Sequence, residues 1–342
     1  MNIKSITLNN FTVFKKNTIE FGEGLNIFIG ENGTGKTHIM KLLYSACQSA
    51  SPKISFSNKV VKTMMPDEYH IARLVTRRQG NNNASVRVVA SSENQENDKI
   101  LSISFNQKTK KWDAKVTGET TWEKEFSEIS SIFIPAKEIL SNSFNLVAAV
   151  EKNNVKFDDT YVDIINSAKV DISSGRDNEK NKHMLGKIES IIGGKVTYDS
   201  KNDQFYLKVI NSKQEFNLIA EGIRKMALLW QLVKNGTLEK GSILFWDEPE
   251  ANINPKYISV IAELLLELQK NGVQIFVSTH DYMLSKYFEI KKESDSNVVF
   301  HSLSKSDDGV VCHSAVKFED IKENDIINSY NKLLDEIYDF GG

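Results

Sequence analysis

Eight consecutive residues, Gly30-Glu31-Asn32-Gly33-Thr34-Gly35-Lys36-Thr37, carry the strongest chemical signal in the chain. They match the spacing GxxxxGK[ST], in which closely spaced backbone N–H groups surround the oxygens of a polyphosphate. Gly30, Gly33 and Gly35 are the residue type such a wrap demands, because the backbone must turn through positive φ and touch the anion. Lys36 would reach the β and γ phosphates and the Thr37 hydroxyl would ligate Mg²⁺, with the helix starting near Thr37 adding its free N–H groups and dipole. Glu31, Asn32, Thr34 and His38 complete the cofactor-binding stretch. Two more segments suit the same nucleoside triphosphate. Residues 242–250 form an apolar strand ending in adjacent acids: Asp247 would hold the magnesium shell, and Glu248, pointing elsewhere, would polarise a water attacking the γ phosphate. Residues 273–278 form a second apolar strand, followed by Thr279-His280-Asp281. A histidine at that strand end can contact the γ phosphate or the attacking water. Alone, the acidic pair would be evenly balanced between a structural and a functional reading and the histidine would read as structural; beside the loop they read as catalytic.

Such groups need a scaffold that brings strand ends and a helix start to one edge. Residues 25–29 are an apolar strand before the loop, and residues 38–47 keep Ile39, Leu42, Leu43 and Ala46 at helical spacing behind it. Later, helix 221–234, strand 243–246, helix 255–270, strand 273–278 and helix 282–288 alternate as in a parallel sheet wrapped by helices. Elsewhere the pattern differs. Residues 3–8 and 18–21 read as strands, and 85–90, 100–105 and 112–116 as an antiparallel meander inserted after the first helix. Residues 131–135 return to the core as a buried strand. Between 153 and 193 the chain is polar with amphipathic pieces at 161–168 and 179–192, a candidate helical lid or arm, followed by a hairpin at 195–198 and 204–209. Strands at 298–303 and 310–315 and a helix at 324–340 close the sequence, and no sustained heptads mark a long coiled coil.

Composition excludes several classes. The 342 residues are 40% hydrophobic with a formal charge of −2, enough for a normal core and without a global basic signature. Cys47 and Cys312 are too few and too distant for a metal motif or disulfide framework, which suits a reducing compartment. The apolar run 258–268 is interrupted by Ser259, Glu263 and Glu267 and is too short to span a bilayer. With no signal peptide visible, the expectation is a cytoplasmic protein without a membrane partner. Two local clusters, Arg73, Arg77, Arg78 and Lys108, Lys110, Lys111 with Trp112, have the residue types for phosphate and stacking contacts with nucleic acid; the alternative is ordinary solvated charge.

The opening IKSITLNNF, the loop GENGTGKT, the segment ILFWDEPEANINP and the THD turn together resemble the ABC-type ATPases of the RecF, SMC and OLD group. More narrowly they resemble the stand-alone bacterial AAA15/AAA21 class. The likeness covers both ends of the chain and leaves about 51–213 unaccounted for. It implies an α/β P-loop NTPase: an ABC-type ATPase core from 1–50, 131–152 and 214–342, an inserted antiparallel β segment at 51–130, and a helical lid or arm with hairpin at 153–213. In that family Lys36 and Thr37 bind phosphate and magnesium, Asp247 is the Walker B acid, Glu248 the catalytic base and His280 the switch histidine, and residues 251–254 fall at the D-loop. Residues 219–225 stand where the signature segment clamps a nucleotide bound on a second subunit. Ala220 replaces its serine and Glu221 its first glycine, leaving Gly222 and Arg224 or Lys225 to make the contact. Lys137 and Glu138 occupy the place of the Q-loop glutamine. The resemblance implies an ATP- and Mg²⁺-dependent switch that forms a homodimer or higher homo-oligomer and controls a separate effector such as a nuclease, in bacterial antiphage defence. The alternative is an ATP-gated DNA- or RNA-binding module.

Overall fold

The computed structural model describes residues 1–77, 82–92, 97–152, 154–172, 179–307, 309–322 and 324–340. The chain begins with β1 (Asn2–Phe11), β2 (Phe14–Glu20) and β3 (Leu25–Ile29), then α1 (Lys36–Gln48) and α2 (Phe56–Met64). Strands β4 (Asn83–Ser91), β5 (Lys99–Asn106) and β6 (Lys115–Thr117), helix α3 (Glu119–Phe126) and strand β7 (Ser131–Ile134) follow. The middle holds α4 (Leu146–Glu151), α5 (Asp159–Ala168), α6 (Glu179–Ile192), β8 (Lys195–Asp199), β9 (Gln204–Val209) and β10 (Ser212–Glu215). The last third runs α7 (Glu221–Lys234), β11 (Ile243–Asp247), α8 (Ile258–Lys270), β12 (Gln274–Ser278), α9 (Tyr282–Lys291), β13 (Val298–Ser306), β14 (Gly309–Ala315) and α10 (Asp325–Phe340).

The central sheet has the order β14-β13-β3-β12-β11-β7 and is parallel except for the β13–β14 pair. Every residue of β3, β7, β11 and β12 is buried, which is why these strands read as unbroken apolar runs rather than alternations. Their two faces differ. On one, Phe28, Phe276, Phe245 and Phe133 stack in a ladder across β3, β12, β11 and β7, with ring centroids 5.0 to 6.4 Å apart. This face packs on α1, α2 and the second sheet. The opposite face, with Ile27, Leu244, Trp246, Ile275 and Val277, is covered by α5 to α9.

The second sheet, β2-β1-β4-β5-β6, is antiparallel. Residues 51–130, expected as an inserted segment, are joined to the core: β4 pairs with β1 from Asn2↔Ser91 to Asn9↔Ser85. The reason is that β1 offers both edges, one taken by β2 and the other by β4. The strand expected at 112–116 is shorter, Lys115–Thr117, and Trp112 lies in the preceding turn.

The expected arm is corrected as well. Helices α5 and α6 bury Ile164, Ile165, Met184, Leu185 and Ile188 in the main core instead of projecting from it. Polar side chains tie α5 to α1 and α2: Lys41 pairs with Asp158 at 2.5 Å, the Tyr44 hydroxyl donates to Asp163 at 2.7 Å, and buried Lys59 reaches Asp159 and Asp163 at 3.0 and 2.6 Å. The hairpin gains a third strand, in the order β10-β9-β8.

Candidate functional site

The phosphate loop leaves β3 and enters α1 at the carboxyl edge of the parallel strands, where open α/β sheets present their ligands. Gly30 lies at φ 136°, and a Cβ there would stand 2.2 Å from the Leu303 carbonyl oxygen, so no side chain fits. Gly35, at φ 93°, precedes α1 with no side-chain cap, so the start of that helix is left to backbone groups. Lys36 is 6% exposed, and its Nζ donates to the carbonyls of Gly30 at 2.6 Å and Glu31 at 3.0 Å. Burial lowers its pKa, offset by the negative charge of Glu248, Asp247, Glu250 and Glu31. Thr34 closes the loop by donating to the Glu31 carbonyl at 2.8 Å, and Glu31 itself pairs with Lys305 at 2.8 Å. Asn32 and Gly33 are exposed, with open space where a Gly33 Cβ would sit. His38 is placed a turn further on, its Nδ1 3.1 Å from the Thr12 hydroxyl on the β1–β2 turn.

The acids arrive from the neighbouring strands. Asp247, at the end of β11, accepts from the Thr37 hydroxyl at 3.0 and 3.2 Å and from the Ser278 hydroxyl at the end of β12. Asp247 and Ser278 face each other in the register, which is how two strands bring their last side chains together. Glu248 follows at φ 47°, a left-handed backbone unusual for a residue with a long side chain. That turn swings its carboxylate away from Asp247 and to within 3.3 Å of His280 Nδ1. The residues expected to act together are thus brought together.

Mg²⁺ favours hard oxygen donors, and the Thr37 hydroxyl and Asp247 carboxylate are such a pair beside a loop built for phosphate. Among the described residues no group of three or more His, Cys, Asp or Glu side chains could hold a metal unaided. The donors present fit ATP with magnesium.

The signature segment departs from expectation. Arg224 is turned into the fold, its Nε 2.7 Å from the buried Glu138 carboxylate and its guanidinium donating to the Phe216 carbonyl at 3.1 Å. It is therefore withdrawn from the cofactor-binding set: pairing satisfies a carboxylate whose pKa burial raises. Lys225, offered with Arg224 as the charge that would contact a second subunit's nucleotide, is 1% exposed and donates to the carbonyls of Glu248 at 3.3 Å and Ala251 at 2.8 Å. Gly222 is buried too, since a Cβ there would lie 2.5 Å from the Asn252 carbonyl oxygen. The start of α7 thus clamps the turn that carries Glu248.

Three residues have supporting roles that the sequence reading did not assign. Ser278 supports Asp247, Lys225 supports the turn, and Glu250 ties that turn to the His280 loop by accepting from the Thr279 hydroxyl at 2.6 Å and the His280 N–H at 3.4 Å. The other Glu250 oxygen is buried without a hydrogen-bond partner, and burial raises the carboxyl pKa. A signal existed for Lys225: it falls at helical spacing with Leu228, Leu229 and Leu232, a position otherwise apolar.

A family profile described as "AAA domain, putative AbiEii toxin, Type IV TA system" matches residues 25–285, well over half of the chain. The chain belongs to the AAA_21 family. Short stretches of this AAA_21 protein are similar to "DNA replication and repair protein RecF": 32% identical over 62 residues in Geobacillus kaustophilus and 37% over 75 in Agathobacter rectalis. Those stretches cover 18% and 22% of this chain and 17% and 20% of the relatives' own length. Among solved structures, an SMC head bound to the C-winged helix domain of ScpA superposes with a TM-score of 0.63 at 13% identity, over 93% of this chain and 99% of that one. An SMC head with an extended coiled coil, bound to a ScpA domain derived from Pyrococcus furiosus, gives 0.56 at 12% identity, over 98% and 99%. The AAA_21 chain thus has the fold of an ABC-type ATPase of the RecF/SMC-like group.

Proposed function

We propose that this protein binds ATP with Mg²⁺, hydrolyses it, and uses the nucleotide state to switch its assembly with a second copy and with an effector. The observation that carries the reading is the convergence of the Lys36–Thr37 helix start on Asp247 at 3.0 Å, with Glu248 and His280 paired beside it. Lys36 would exchange its two carbonyl partners for phosphate oxygens, gaining charge-assisted bonds in a partly dry pocket. Glu248 would orient and deprotonate the attacking water, and His280 would hold that carboxylate and meet the γ phosphate. Bound magnesium would neutralise charge developing on the transferred group.

Assembly with a second copy is supported by the placement of residues 219–222 at the start of α7, next to the Glu248 turn, with Leu218 80% exposed just before it. A partner reading is supported by the SMC heads, which were solved with a bound ScpA domain. The link to antiphage defence through an effector such as a nuclease rests on the family resemblance alone. The deciding experiment follows ATP turnover together with mass in solution. Glu248→Gln should bind ATP, fail to hydrolyse it and shift to a larger species; normal turnover in that variant would remove Glu248 from the reaction.

A second reading, ATP-gated nucleic-acid binding, is favoured by one surface. The outer face of the antiparallel sheet aligns Thr18, Thr7, Arg87, Ser102 and Thr117 in a row across five strands, groups that suit phosphate backbones. The similarity to RecF points the same way. By contrast, Arg73 of the basic clusters is paired with Asp67 at 3.0 Å, and Arg78 lies outside the described residues. Salt-sensitive DNA binding that requires ATP would support this reading, and hydrolysis and mass unaffected by any nucleic acid would remove it.

A further inference from the structure

Away from the sheet edge, a recess of about 400 Å³ opens between the end of α2, the turn after it, the β5–β6 turn and the link from α4 to α5. None of residues 30–37 lines it. Two aromatic side chains, Tyr69 and Trp112, line it together with the apolar Val61, Val155 and Phe157. Each ring already carries an ammonium: Lys156 Nζ lies 5.3 Å from the Tyr69 centroid and Lys111 Nζ 5.6 Å from that of Trp112. Lys62 adds a third positive charge. Of the two acids at the rim, Asp159 is engaged by Lys59 at 3.0 Å, which leaves Glu68 against three lysines.

The backbone here is held in costly conformations. Glu68, Tyr69 and Lys111 have φ of 53°, 57° and 44°, so three residues lining one recess are left-handed without being glycine. Such geometry persists only where the surroundings over-determine it, and it gathers at ligand sites. Here Tyr69 N–H is bonded to the Pro66 carbonyl at 2.8 Å, Ile71 N–H to the Lys111 carbonyl at 2.8 Å, and the Ser57 hydroxyl to the Trp112 carbonyl. The Tyr69 and Trp112 segments are therefore fixed in place rather than left to solvent.

We propose that this recess binds one free nucleoside phosphate as an effector, with its base packed on Tyr69 and Trp112 and its phosphate met by Lys62, Lys111 and Lys156. A flat heteroaromatic anion is the ligand class that answers both halves of the lining: any base offers a π face to an aromatic wall, and the lysines require negative charge. The volume lies in the range of small-molecule sites and suits a single nucleotide. Its walls also reach the phosphate-loop helix. Lys41 on α1 donates to the Thr63 carbonyl at 2.9 Å and pairs with Asp158 at 2.5 Å, so two borders of the recess meet at one side chain of that helix. An occupant that shifts either border shifts the setting of α1.

The site stands independently of the ATP reading, and the experiment keeps them apart. In Lys36→Ala protein, where the phosphate loop is weakened, AMP, GMP, CMP and UMP are titrated one at a time by equilibrium dialysis and by tryptophan fluorescence. Trp122, Trp230 and Trp246 are at most 2% exposed whereas Trp112 is 42% exposed, so a stacked base quenches Trp112. At least one monophosphate should bind at one site per chain with Kd at or below about 1 mM. The surface change Lys156→Glu should weaken it about tenfold or more at an unchanged thermal midpoint. Trp112→Phe should abolish the quench and keep the dialysis signal. The proposal is overturned if no monophosphate binds the Lys36→Ala protein, if Lys156→Glu leaves affinity unchanged, or if only an oligonucleotide binds.

Discussion

The phosphate loop and the start of α7 face the same chemistry, yet they are built by opposite means. The loop is made of backbone: its glycines turn freely, Asn32 and Gly33 are exposed, and one lysine folds back on two carbonyls. The start of α7 is made of side chains turned inward, with Arg224 on Glu138, Lys225 on the carbonyls of Glu248 and Ala251, and Gly222 against Asn252. One is shaped to receive a ligand; the other is shaped to hold the turn that acts on it. Binding and turnover should therefore be separable by mutation.

The largest effect expected is at Glu248. Glu248→Gln should lower the single-turnover hydrolysis rate by about 10² to 10⁴-fold, the usual yield of a positioned general base, while ATP affinity stays near wild type. Next comes Lys36→Ala, which removes charge-assisted bonds from the cradle. Loss of about 1.5–3 kcal/mol, roughly ten- to hundredfold in ATP affinity by calorimetry, is the expected result, and wild-type affinity would contradict the assigned cradle. Lys225→Met tests the clamp. It takes the Lys225 donor from the Ala251 carbonyl, while the Glu248 carbonyl keeps the Ala251 N–H at 3.1 Å, and should lower unfolding free energy by about 1–3 kcal/mol in urea, reducing turnover more than ATP affinity. Equal loss of both would erase the contrast drawn here.

The smallest effect concerns pH. Burial raises the Glu250 pKa above the ordinary 4.5, so the folded state holds that proton more tightly than the unfolded chain. Its contribution is fully present below 4.5 and is lost as pH rises through the folded value. Glu250→Gln removes this titration. The thermal midpoint of the variant relative to wild type should be higher at pH 8 than at pH 4, and a difference that does not change with pH would show that Glu250 does not titrate between them.

The same contrast explains what could be read without a structure. The phosphate loop was legible because its chemistry is local: eight residues in a row, between a strand and a helix, specify it. The alternation of residues 221–288 gave the parallel core for the same reason. What was hidden depends on partners far along the chain. Pairing of β4 with β1 spans some eighty residues and leaves no mark on either strand alone. Arg224 reads as a contact for a second subunit's nucleotide until Glu138 is seen across from it, and the helices of residues 159–192 read as an arm until their apolar faces meet the core. Lys225 was the exception, since its place in an apolar stripe was visible and it was nonetheless read as a contact for a second subunit's nucleotide.

The phenylalanine ladder has a consequence for the rim above it. Strand side chains repeat every second residue, so Phe28, Phe245 and Phe276 put the positions two further on, Gly30, Asp247 and Ser278, on the α1 side of the sheet. The rings thus act as a levelling course under masonry, setting one height for three strands that meet nowhere else in sequence. Slippage of any one strand by a single residue would send its last group to the wrong side, and slippage of β11 would take Asp247 away from Thr37.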